Sequence, residues 1–232
     1  MAADRLAQLQ ERYGLTPVAT ERLSVLLTEL AAAAWAPTTV IDPAQAVDVH
    51  VADSLSGLEV PSLRGARQIA DLGSGAGFPA LVLAVALPEA SVTAVESARR
   101  KCDFITELAR VAGIGNLEVV CARAEDWQDG WNRHDAVCAR AVAPLGVLLE
   151  YAAPLLREGG ALVAWKGRME PDELQAAVTA ADVLGMAAPV TVPVRPFAAA
   201  EHRQLVTAVK ARSTPDRFPR RTGVALKRPL GV

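Results

Sequence analysis

The chain has 232 residues, of which 51% are hydrophobic and 4% aromatic, and a formal net charge of −2. That composition excludes a disordered or collagen-like chain and suits one domain with room for an extension. The longest apolar runs, ALVLAVAL and LAAAAWA, are too short to cross a bilayer, and MAADRLAQLQ carries no basic-then-apolar leader, so a soluble, unexported, cytoplasmic protein is expected.

Charge is distributed unevenly. Residues 210–232 hold seven basic side chains against one acid, while the remainder is net acidic. A concentrated positive segment on an acidic body points to an anionic partner, because Lys and Arg that neutralise phosphates release condensed counterions. Cys102, Cys121 and Cys138 are odd in number and lack C-x-x-C spacing. They read as small core residues in a reducing compartment, with neither a disulfide frame nor a metal site expected.

In chain order, Leu6, Leu9 and Tyr13 share a helical face that ends at Gly14, and Thr16-Pro17 is an N-cap followed by proline in the first turn. Leu23, Leu26, Leu27 and Leu30 continue that helical preface as an i, i+3, i+4, i+7 stripe. Asp42-Pro43 repeats the cap signal and opens a helix to about Ser56, on which His50 and Asp53 are neighbours and by default a surface pair. Beyond Gln68 the period alternates. Strands are predicted at 67–72, 91–96, 117–121, 134–139, 159–166, 188–194 and 203–210, and helices near 78–87, 99–112, 145–156 and 171–184. Such alternation implies a mostly parallel sheet covered on both faces. RPFAAAEH, which joins the last two strands, shows no helical pattern, so the final strand is expected to return antiparallel.

The informative stretch is IADLGSGAGFPALVLAVALPEASVTAVES, residues 69–97. It reads as strand, glycine turn, helix and second strand, with Glu96 at the carboxyl end of that strand, where a βαβ unit opens onto its ligand crevice. Gly73, Gly75 and Gly77 permit positive φ and a close backbone approach to a ligand. A carboxylate at Glu96 can accept hydrogen bonds from both hydroxyls of a ribose. The G-x-G-x-x-G spacing of dinucleotide folds fails at Phe78, and no lysine stands between Ile69 and Arg100 to clamp a phosphate. The loop has no phosphate clamp. Asp-x-Gly-x-Gly-x-Gly resembles motif I of class I S-adenosylmethionine-dependent methyltransferases, whose fold is a Rossmann-like seven-stranded α/β sheet with the last strand antiparallel.

Further strings sharpen the resemblance. DPAQAVDVHVADSL, DLGSGAGFPALVLA, RAEDW, CARAVAPL, AWKGR, EHRQLV and FPRRTGVALKRPL are similar, in order and spacing, to the RsmG (GidB) type of 16S rRNA guanine-N7 methyltransferase from about residue 38 to the C-terminus. The chain departs from that pattern at Ala76 and Ala80, where relatives often carry Pro or Gly, and has Glu96 where Asp is also common. The resemblance implies methyl transfer from S-adenosylmethionine to N7 of one guanine in the 530 loop of 16S rRNA, either free or within the small ribosomal subunit. Guanine N7 bears a lone pair and no proton, so no general base is expected, and alignment of the two reactants carries the catalysis.

Residue by residue, the resemblance puts Gly73, Gly75, Gly77 and Phe78 along the methionine and ribose side of the cofactor. Glu96 holds the ribose, and Ala124 and Glu125 meet the adenine. Arg140 lies at the cofactor and RNA pocket, Lys166 and Arg168 reach a phosphate, and Arg123 serves either purpose. In the tail, Arg220, Arg221, Lys227 and Arg228 are expected to bind RNA. H-x-x-D-S gives His50 and Asp53 added interest as residues that order a lid over the cofactor. Trp127, Trp131 and Trp165 read as packing residues rather than base-stacking platforms. Expected units are a helical extension at 1–60, a methyltransferase domain at 61–212 and a basic tail at 213–232, in a monomer without metal and without a membrane partner. Methylation of another RNA or of a small molecule, and nucleoside binding without catalysis, are the competing readings.

Overall fold

The computed structural model describes residues 2–231. Helices α1 (Ala2–Tyr13) and α2 (Pro17–Ala32) come first, and Thr16 caps α2 by accepting the N–H of Ala19 at 3.1 Å. Asp42 caps α3 (Pro43–Ala46) in the same way through Gln45. The helix then widens into a π-helical segment, Val47–Ala52, returns to α geometry in α4 (Asp53–Leu55) and tightens to a 3-10 turn at Ser56–Glu59. A short α5 (Pro61–Arg64) leads into the sheet.

The sheet alternates with helices as expected: β1 (Gln68–Leu72), α6 (Ala80–Ala86), β2 (Ser91–Glu96), α7 (Arg99–Val111), β3 (Leu117–Cys121), β4 (His134–Arg140), α8 (Leu145–Ala152), β5 (Leu156–Lys166), α9 (Pro171–Leu184), β6 (Val190–Pro193) and β7 (Gln204–Val209). Strand order is β3-β2-β1-β4-β5-β7-β6. β1 pairs in parallel with both β2 and β4, so the order reverses on either side of it and a crevice opens at its carboxyl end. β7 enters antiparallel between β5 and β6, completing the mixed seven-stranded sheet.

Side chains alternate along the strands between two cores. Ile69, Val92, Ala94, Cys138, Val163 and Leu205 pack with α1, α2, α6 and α7, whereas Ala70, Leu72, Val95, Val137, Leu162 and Val206 face α8 and α9. The helical preface shares one core with the sheet, because the Leu23, Leu26, Leu27 and Leu30 stripe is buried in the same cluster. Arg5 and Arg12 extend from α1 to the carbonyls of Pro196 and Arg195, which anchors the connection between β6 and β7. Residues 213–231 fold back over α8. Glu150 of α8, buried, accepts from Nε and Nη2 of Arg220 at 2.8 and 2.5 Å, and Phe218 and Ala225 are buried beside it.

Several expectations change. Helix α8 stops at Ala152 instead of 156, because Pro154 has no N–H to continue the ladder, and β5 starts three residues early, at Leu156. Cys121 is exposed while Cys102 and Cys138 are buried, since β3 is an edge strand with solvent beside it. His50 and Asp53 are not a surface pair: both are buried. Trp165 is buried and Trp131 lies 37% exposed. Among the described residues no helix is long and apolar enough to cross a membrane, and no group of His, Cys, Asp and Glu could hold a metal ion.

Candidate functional site

Three glycines close the turn after β1, and all take positive φ: +66° at Gly73, +61° at Gly75 and +93° at Gly77. Their neighbours differ. A Cβ on Gly77 would stand 2.4 Å from Leu81 Cδ1, so this glycine serves close packing of the loop on α6. A Cβ on Gly73 would stand 2.8 Å from Val142, the residue that overhangs the loop from beyond β4. A Cβ on Gly75 would make only an ordinary contact, 3.8 Å from the Gly73 carbonyl oxygen, and its N–H donates to Glu96 Oε2 at 3.1 Å.

Glu96 ends β2 almost wholly buried, with Oε1 accepting from the N–H of Ala98 at 2.9 Å. The carboxylate thus fastens the glycine loop to the start of α7. Ser97 Oγ also donates to Oε1, at 3.5 Å, and Lys101 Nζ stands 3.8 Å from Oε2; these longer contacts are the ones that ligand hydroxyls would replace. Glu96 lines a cavity of about 140 Å³ with Gly73, Arg123, Ala124, Glu125, Val142, Tyr151 and Leu226. Its walls suit an adenosine: a buried carboxylate for the ribose, and apolar surfaces on Val142, Tyr151 and Leu226 for the base. Glu125 Oε1 accepts from the N–H of Gly223, and Thr222 donates to Asp126, so the tail forms one wall.

The larger cavity, about 530 Å³, meets the first at Val142 and opens at the ends of β4 and β5. Arg140, Lys166, Arg168 and Arg203 line it with two acids, Asp53 and Glu173. Asp53 is fixed between two guanidinium groups, Arg140 Nη1 at 2.9 Å and Arg203 Nε at 2.8 Å. The π-helical segment aids this. Val49 turns its carbonyl out to accept a second bond from Arg140 Nη1 at 2.9 Å, as a locally widened helix allows. Trp165, on β5, donates its indole N–H to the Asp53 carbonyl at 2.7 Å and holds the helix from beneath. His50 stacks on Phe78 with ring centroids 4.5 Å apart, and its Nε2–H donates to the Val40 carbonyl at 2.9 Å. Burial keeps this imidazole neutral, with its pKa lowered to about 4.

Beneath the loop lies Asp71, fully buried, whose Oδ2 accepts from the N–H of Ala80 at 3.2 Å. Desolvation pushes its carboxyl up to about 7. Between about pH 4 and 7 the folded protein therefore holds a proton that the unfolded chain has released, and stability falls as pH rises through this window. His50 acts oppositely between about pH 4 and 6.5, where only the unfolded chain is protonated at that residue. Asp71→Asn is expected to remove the first slope. Urea unfolding of both proteins from about pH 5 to pH 8 should give a stability difference that grows in the variant's favour up to about pH 7. A pH-independent difference would contradict this assignment.

Residues 29–204 match the family model described as rRNA small subunit methyltransferase G, GidB. A protein called ribosomal RNA small subunit methyltransferase G in Rubrobacter xylanophilus is 40% identical over 228 residues, 96% of this chain and 83% of the relative. One of the same name from Deinococcus deserti is 43% identical over 188 residues, covering 78% and 75% of the two chains. The chain belongs to the rRNA small subunit methyltransferase G family. Solved structures agree on the fold. An S-adenosylmethionine-dependent O-methyltransferase from Thermotoga maritima aligns with TM-score 0.58 at 16% identity, over 82% of this chain and 73% of that one. A 16S rRNA adenine-N1 methyltransferase from Catenulisporales acidiphilia aligns with TM-score 0.52 at 18% identity, over 67% and 90%.

Of the residues singled out in this family member's sequence, Gly73, Glu96, Arg123, Ala124 and Glu125 converge on the smaller cavity, and Arg140, Lys166 and Arg168 on the larger. Arg140 does not line the smaller cavity. Phe78 is buried under His50 and lines neither cavity. Within the basic segment, Lys210 is buried and donates to Leu156 O and Asn132 Oδ1, Arg212 pairs with Asp182, and Arg220 with Glu150. Arg221, Lys227 and Arg228 are in no ion pair among the described residues. Sequence reasoning missed Arg203, Glu173, Tyr151 and Leu226. Arg203 lies inside the EHRQLV string and Leu226 inside FPRRTGVALKRPL, which were usable signals; Glu173 and Tyr151 carry none, because each reaches its cavity only through a long-range contact.

Proposed function

We propose that this protein transfers the methyl group of S-adenosylmethionine to N7 of a guanine in the 530 loop of 16S rRNA. The observation that carries the reading is the meeting of two unlike cavities at Val142: one offers a buried ribose acceptor beside apolar walls, the other is lined by four basic side chains. Bound S-adenosylmethionine supplies an electrophilic methyl on a sulfonium. Every other requirement falls to the chain. Glu96 accepts from the ribose hydroxyls, and Val142, which lines both cavities, marks where the ligand runs from one to the other.

Arg140, Lys166, Arg168 and Arg203 orient the nucleotide through its phosphates and base edges. Guanine N7 has no proton to give up, so these residues need only align the two reactants and exclude water. Such alignment is worth roughly 7–11 kcal/mol in well-oriented systems. Positive charge moves from the sulfonium to the purine, and the Asp53 and Glu173 carboxylates lie in the cavity that receives it. Arg221, Lys227 and Arg228 add an electrostatic footprint for RNA beside the adenosine pocket.

The test is transfer of labelled methyl to small ribosomal subunits and to free 16S rRNA, followed by mapping of the product. Label at N7 of one guanine in the 530 loop is expected. Label at another atom, in another RNA or only in small molecules would overturn the reading.

A further inference from the structure

Two carboxylates line the larger cavity, and only one has an oxygen to spare. Asp53 faces Arg140 and Arg203 with its two oxygens. Glu173, at the start of α9, uses a single oxygen for its contacts: Oε1 accepts from Lys166 Nζ at 2.7 Å and from the Leu145 N–H at 3.0 Å. Its Oε2 accepts from no described residue, and the side chain is 28% exposed to the cavity. Burial acts to raise this carboxyl, but the Lys166 ammonium and the Leu145 N–H outweigh it, so it stays below the ordinary range and is ionised at neutral pH. Lys166 in turn donates to Glu173 and to the Ala143 carbonyl at 3.3 Å, which leaves one of its three protons free. One wall therefore presents a cationic donor directly beside an anionic acceptor.

That pair is the complement of one base edge. The Watson–Crick edge of guanine offers the O6 acceptor next to the N1–H and 2-amino donors, on the opposite side of the purine from the imidazole ring that carries N7. Adenine reverses the pattern, placing an amine toward the lysine and a lone pair toward the carboxylate, so it would leave both groups unpaired. We propose that Glu173 is the base-selecting residue of this enzyme, accepting from N1–H and the 2-amino group at Oε2 while Lys166 donates to O6. The inference rests on the guanine-N7 reading and adds the residue that makes it guanine. It also explains why Glu173 is anchored from two sides: a reading carboxylate must not rotate, and the Leu145 N–H and Lys166 hold it in one orientation.

Inosine isolates the contact, because it keeps O6, N1–H and N7 and lacks only the 2-amino group. Reconstituted small subunits carrying guanine or inosine at the target are compared as kcat/KM ratios. A hydrogen bond to a charged partner implies that the parent enzyme prefers guanine by roughly tenfold or more. In Glu173→Ala the preference is expected to fall to within about twofold, with cofactor affinity unchanged. Glu173→Gln, whose amide oxygen can still accept from Leu145, keeps the α8 start intact and should also lose most of the preference, since its NH2 opposes the base donors. A merely structural role for Glu173 would slow both substrates equally. Unchanged preference in folded Glu173→Gln, or a parent enzyme indifferent to the 2-amino group, overturns the proposal. Parent enzyme that methylates no guanine N7 at all would overturn the functional reading instead, so the two failures are distinguishable.

Discussion

Replacing Glu96 with alanine is expected to weaken S-adenosylmethionine binding at least about a hundredfold. Two ribose hydroxyls donating to one carboxylate contribute roughly 1.5–3 kcal/mol each, and every 1.4 kcal/mol is a factor of ten in affinity. The substitution also frees the N–H groups of Gly75 and Ala98, which Glu96 accepts at 3.1 and 2.9 Å, so the glycine loop loses its tie to α7. Glu96→Asp retains the charge and shortens the side chain by one methylene, and should cost about tenfold or less by the same reckoning. Calorimetric titration with the cofactor or its demethylated product measures both. Binding of the alanine variant within about threefold of the parent would remove Glu96 from the cofactor site.

Arg140→Met is expected to act on the other cavity. Losing a preorganised cationic donor at a reacting centre typically lowers turnover by about a hundredfold to a thousandfold. The dissociation constant for S-adenosylmethionine should stay within about threefold, because Arg140 lines the larger cavity and not the one around Glu96. Stability should fall by roughly 3 kcal/mol, the low end for a broken buried pair, since Arg203 still faces Asp53 at 2.8 Å. Arg140→Lys is not a rescue: one ammonium cannot keep the Val49 carbonyl and Asp53 and still present a planar fork to RNA. Full turnover with weakened cofactor binding would reverse the assignment of Arg140 between the two cavities.

Much of the scaffold was readable from local pattern. The strand and helix alternation, the antiparallel return after RPFAAAEH, the caps at Thr16 and Asp42 and the glycine turn before α6 all depend on residues close in sequence. Where neighbours in space decided, reading from the chain failed. His50 and Asp53 have a spacing that suits a helix surface, yet both are buried because the segment lies between the sheet and the preface helices. The basic segment reads as a concentration of charge for an anionic partner, but Lys210 and Arg220 complete buried networks with Leu156 and Glu150.

By itself the sequence determined the sheet, the glycine turn after β1 and the carboxylate that follows it, because backbone conformation and hydrophobic period are local properties of a chain. Only the tertiary structure decided which charges remain free to meet RNA. Asp53 finds Arg140 and Arg203 at separations of 87 and 150 residues, and Glu173 finds Leu145 across 28. A charge in a folded protein is committed or available according to what packing brings within about 3 Å of it, and no spacing along the chain encodes that.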